Sequence, residues 1–168
     1  MGSLYLVSVW LHILAATAWL GGMIFLVLVA VPVLRRGDPK LAAIVMRDSG
    51  RRFRDVGWVC FGILAITGTF NLWWRGVRVS NLLDATWAAS VFGRTLWLKL
   101  SAFLVVLALS VAHDFFIGPR ASEELARDPQ GARAPQLRRA ASLMGRATAL
   151  LALIIFALAV VLVRGPVW

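Results

Sequence analysis

Leu11-His12-Ile13-Leu14-Ala15-Ala16-Thr17-Ala18-Trp19-Leu20-Gly21-Gly22-Met23 is the stretch from which the fold is read. It is the middle of an apolar run from Leu4 to Leu34 that contains no Asp, Glu, Lys or Arg. About 20 helical residues cross the ~30 Å of hydrocarbon in a bilayer, so the run is long enough to span one. An ionisable side chain at that depth is expensive and marks a functional position, which singles out His12.

Working outward, the same length criterion picks Val56 to Trp74, Thr95 to Ile117 and Leu143 to Val163. The composition agrees: 60% of residues are hydrophobic and 15% charged, far from the balance of a soluble domain. The expectation is an all-α integral membrane protein, an up-down four-helix bundle formed by residues 1–168 as one domain. Its helices cover about 4–34, 56–74, 95–117 and 143–163. Pro32 and Arg35-Arg36-Gly37-Asp38-Pro39 end the first run. No basic residue precedes that run and it is too long for a signal peptide, so it reads as a retained helix.

Lys and Arg collect in short cytoplasmic loops. Arg35, Arg36, Lys40, Arg47, Arg51, Arg52 and Arg54 lie in the first loop, and Arg120, Arg127, Arg133, Arg138, Arg139 and Arg146 in the third, the last of them just inside the start of the fourth run. The middle loop and the C-terminus hold only Arg75, Arg78, Arg94 and Arg164. Both termini are therefore expected outside a bacterial inner membrane. The net charge of +10 belongs to these membrane-proximal loops, where it meets lipid headgroups, and no nucleic-acid-binding motif accompanies it. Trp10, Trp73, Trp74, Trp87, Trp97 and Trp168 suit an interfacial belt.

The single cysteine, Cys60, excludes an intramolecular disulfide and multi-cysteine metal sites. No nucleophilic triad, phosphate loop or carboxylate pair is visible. From the ~1.5 Å rise per residue, His12 lies ~12 Å below the outer end of the first helix and Lys99 ~6 Å below that of the third. Met23 and His113 come ~27 to 28 Å down the same helices. His12 and His113 are thus ~15 Å apart in depth, too far to share one haem.

His12, Ala15, Ala16, Trp19, Gly22 and Met23 form one helical stripe. Small residues beside a histidine leave room for a tetrapyrrole, with Trp19 walling the macrocycle. They equally let helices approach closely, with His12 bonded to a neighbouring backbone group or hydroxyl. Lys99, with Arg94, is placed for haem propionates or an acidic substrate, or snorkels to the interface. His12, Met23 and His113 are candidate metal ligands, since imidazole and thioether suit Cu(I) as well as haem. A copper path needs successive soft ligands, whereas a haem needs one axial ligand and a greasy pocket.

The stretch from Leu11-His12 to Trp19-Leu20-Gly21-Gly22, the Arg51-Arg52-Phe53 leading to Thr67-Gly68, and Gly93-Arg94-Thr95-Leu96-Trp97-Leu98-Lys99-Leu100 together resemble the CopD family of bacterial inner-membrane proteins. They are also similar to the HemJ-type four-helix proteins. The first resemblance implies copper passage beside a periplasmic copper-binding partner. The second implies b-type haem and oxidation of protoporphyrinogen. By either, His12 is the haem or metal residue and Lys99 its companion. The histidine-containing motif that HemJ-like chains carry at the end of the first helix is missing from Val29-Ala30-Val31-Pro32-Val33-Leu34-Arg35-Arg36.

The leading expectation is a b-type haem protein with His12 as axial ligand, exchanging electrons with a quinone or a periplasmic redox protein, as a haem-dependent oxidoreductase or a carrier. The alternatives are a copper transporter or delivery subunit using His12, Met23 and His113, and an assembly or anchor subunit. Small-residue faces permit a homodimer.

Overall fold

The computed structural model describes residues 2–34, 36–120, 124 and 133–165. Arg35, Arg127 and Trp168 lie outside the described residues, as do the side chains of Lys40, Arg133 and Arg138. Among the described residues every regular element is a helix. We number them α1 (Ser3–Leu34), α2 (Pro39–Trp74), α3 (Val79–Leu83), α4 (Ala85–Ala89), α5 (Val91–Arg120) and α6 (Arg133–Arg164). Four of them, α1, α2, α5 and α6, are long and apolar enough to cross a membrane.

Two of these helices start well before the apolar runs expected from the sequence. Helix α2 begins at Pro39 rather than Val56, and α6 at Arg133 rather than Leu143. Hydrophobicity marks where a helix enters lipid, not where it begins. Ala, Leu, Met and Arg all favour helix in water, and Pro39 is tolerated at a first helical position. With 36 residues, α2 is about 54 Å long at ~1.5 Å per residue. That exceeds the hydrocarbon thickness, and the excess carries Arg47, Arg51, Arg52 and Arg54.

Helices α1 and α5 are not α-helical throughout. Leu26–Ala30 and Ala112–Ile117 are π-helical. The first lies just ahead of Pro32, whose ring and missing N–H are incompatible with a regular ladder. A wider turn there lets α1 continue to Leu34. Helix α2 ends where Gly76 takes φ 82°, a left-handed conformation open to glycine. There the Gly76 N–H donates to the Trp73 carbonyl and the Val77 N–H to that of Leu72.

The chain divides into two units, Met1–Leu82 and Leu83–Trp168. In the first, α1 packs antiparallel on α2. Tyr5 stacks on Trp74 with ring centroids 5.8 Å apart, His12 bonds Thr67, and Trp19 meets Phe61 edge-on at 5.0 Å. The buried face of α1 is Ser8, Ala15, Trp19 and Met23, a spacing of seven and four residues that places them on one stripe. In the second unit α5 packs on α6, and Thr95, Leu96 and Val106 are buried on α5.

Candidate functional site

The first unit places His12 in the α1–α2 seam. Its Nδ1 lies 2.8 Å from Thr67 Oγ1. The direction of this bond follows from a second one, in which Thr67 Oγ1 donates to the Ile63 carbonyl oxygen at 2.6 Å. A hydroxyl has one proton and a carbonyl has none to give. Thr67 must therefore accept from His12, and His12 Nδ1 carries the hydrogen. In the neutral ring Nε2 then holds the lone pair, the arrangement that second-sphere partners impose on metal-binding histidines. Gly68 lets the ring sit there, since a Cβ at that position would lie 3.3 Å from His12 Cε1.

The rest of the seam departs from the expected pocket. Trp19 does not wall an open space beside His12; it is buried against Phe61, with Gly57 close to its Cδ1. Close helix approach requires a glycine again at Gly22, where a Cβ would stand 2.6 Å from Phe53 Cε2. Met23 shares the stripe of His12 but lies about 16 Å along the helix at ~1.5 Å per residue, so the two do not form one site. Cys60 is buried on α2 next to Phe61, between those two levels. A surface groove of about 570 Å³ lies along α2, lined by Ala65, Ile66, Thr69, Phe70 and Trp73, and does not include His12.

In the second unit the expected companions separate. Arg94 is exposed and lines a groove of about 310 Å³ with Ala88, Trp97, Leu98 and Ser101. Lys99 is half-buried and lies about 140° further round the helix, at ~100° per residue. The two residues therefore lie on different faces of α5. Helix α6, packed against α5, has no Asp or Glu in its sequence. The N-terminal end of α5 is tightly built: Ser90 Oγ accepts from the Gly93 N–H and donates to the Trp87 carbonyl.

His113 lies in the π-helical turn of α5, with Nδ1 2.9 Å from Asp114 Oδ1. The carboxylate accepts, so Nδ1 is again the donor and Nε2 of the neutral ring again carries the lone pair. Both histidines of the chain are thus held in the same tautomer, one by a hydroxyl and one by a carboxylate. Among the described residues no group of three or more His, Cys, Asp and Glu is placed to hold a metal ion.

Residues 47–162 match the family described as copper resistance protein D. This chain belongs to that family. Arg94, Lys99 and His113 lie inside the matched segment of copper resistance protein D, while His12, Trp19 and Met23 precede it. A similar chain, described as an uncharacterized protein of Aquifex aeolicus (strain VF5), is 31% identical over 112 residues, covering 66% of this chain and 68% of that one. No solved structure matches. Membership makes this a multi-pass membrane protein of a family named for copper resistance.

The residue that sequence reasoning underused is Thr67. Its place in Thr67-Gly68 marked a resemblance, but only the antiparallel packing shows that it accepts from His12.

Proposed function

We propose that this chain handles copper within the bacterial inner membrane, with both termini outside and His12 as the residue that takes the ion. The carrying observation is the tautomer imposed on His12 by Thr67, which turns the ring's lone pair to Nε2. Cu(I) accepts imidazole nitrogen, thiol and thioether, and the seam that holds His12 also buries Cys60 and Met23. Copper is cargo in this reading. Few ligands at each level hold it loosely, which suits passage to or from a periplasmic copper-binding protein more than storage. His113, oriented by Asp114, offers a second imidazole within the other unit.

The same tautomer supports a second reading, b-type haem with His12 as axial ligand and a quinone as electron partner. Its difficulty is Trp19, which fills the seam instead of bordering a macrocycle-sized space.

One purified sample decides between them: Cu(I) binding under reducing conditions with metal analysis, and a reduced-minus-oxidised visible spectrum. The copper reading expects a colourless protein whose bound Cu(I) is lost in His12→Ala. Soret and α bands that vanish in His12→Ala replace it with the haem reading. Neither copper nor haem leaves the assembly-subunit role.

A further inference from the structure

The α1–α2 seam is layered by an antiparallel offset that is constant to within one residue: Tyr5 on Trp74, His12 on Thr67, Trp19 on Phe61. Ser8 falls between the first two layers, across from Asn71. It is one turn from His12 on α1, as Asn71 is one turn from Thr67 on α2. Ser8 is 8% exposed. Its Oγ and Asn71 Oδ1 are both closed off from the surface without a hydrogen-bond partner among the described residues.

Leaving a buried polar atom unpaired costs about 1–3 kcal/mol, more than a typical hydrogen bond returns. Two such atoms in one layer of a lipid-embedded seam call for an occupant. The occupant must donate to Asn71 Oδ1 and either donate to or accept from Ser8 Oγ. Water is the smallest species that does both, and buried waters are ordinarily found on two to four polar partners of this kind. The layer lies on the Tyr5–Trp74 side of His12, so a water there is a step between the aqueous interface and the imidazole.

We propose that Ser8 and Asn71 hold a buried water that bridges them on the Tyr5–Trp74 side of His12 and brings solvent to the imidazole. The inference does not rest on what His12 binds, because it concerns the ring before any ligand arrives.

Deuterium exchange at the imidazole Cε1–H, followed by mass spectrometry on metal-free protein in detergent, tests it. That exchange needs water to reach the ring. The chain has two histidines, so His113 is an internal reference. In Ser8→Ala/Asn71→Leu the His12 rate should fall ~10-fold, the worth of one hydrogen bond, with His113 unchanged. Ser8→Ala alone, which removes a single oxygen, should slow His12 in the same direction and decides the matter where the double variant does not fold. A ratio of His12 to His113 rates equal to that of the native protein in the variants that fold overturns the proposal, whatever the outcome of copper binding.

Discussion

Gly68 and His12 are matched across the first helix seam: a Cβ on Gly68 would stand 3.3 Å from Cε1 of the imidazole. That is tight enough that the ring must yield to any larger side chain. Gly68→Leu is expected to push His12 off Thr67 and to cost about 1–3 kcal/mol by overpacking. In a His12→Ala background the space is free and most of that cost should disappear. Thermal unfolding of the four proteins in one detergent gives the coupling.

Thr67→Val keeps the shape of the side chain and removes its oxygen, leaving the His12 Nδ1–H without this acceptor. The expected loss is ~1–3 kcal/mol, with a ~10–100-fold weaker metal affinity because the ring loses its orienting partner. Thr67→Ser should retain both properties. Competition for Cu(I) with a chelator of known affinity reads the second effect directly.

Gly93 stands where a Cβ would run into the Trp87 carbonyl and lie 2.9 Å from Ala88 Cα. Both neighbours are backbone and cannot rotate away. Gly93→Ala should therefore open the turn between α4 and α5 at a cost of ~1–3 kcal/mol and weaken the Ser90 cap. Faster amide exchange at position 93 than in the native protein would show it; an unchanged rate would refute it.

Asp84 caps α4, its Oδ1 accepting from the Thr86 hydroxyl at 2.6 Å, the Thr86 N–H at 2.8 Å and the Trp87 N–H at 3.4 Å. The Thr86 hydroxyl, then the two amides, hold the carboxyl below the ordinary carboxylate range. A group depressed on folding stabilises the fold above its unfolded pKa and loses that contribution as pH falls through the folded one. The α4 amides should therefore stay protected at neutral pH and fray only in acid below the ordinary carboxylate range. Asp84→Asn keeps an acceptor without a charge and should remove this pH dependence, as amide exchange across a pH series would show.

How much of the site could be read from the chain differs residue by residue. His12 stood out because an imidazole inside an apolar run is costly wherever the helix packs. The alternative in which it bonds a hydroxyl was also legible, but not which hydroxyl, since Thr67 is 55 positions away. Trp19 was misplaced because a stripe shows which side of a helix is buried and not what fills the space opposite. Helix starts at Pro39 and Arg133 were missed because a search for apolar length is blind to helix that continues into water.

Hydrophobic length alone determined the four spans, because backbone polar groups in lipid must be bonded within their own segment. Local chemistry likewise foretold the end of the first span near Pro32. Only the tertiary structure decided that α1 and α2 run antiparallel with His12 level with Thr67, that Gly22 and Gly68 are places of close approach, and that Ser8 and Asn71 share a layer. Those facts depend on the relative offset of two helices. That offset is settled by shape fitting summed over the whole seam, which no single segment encodes.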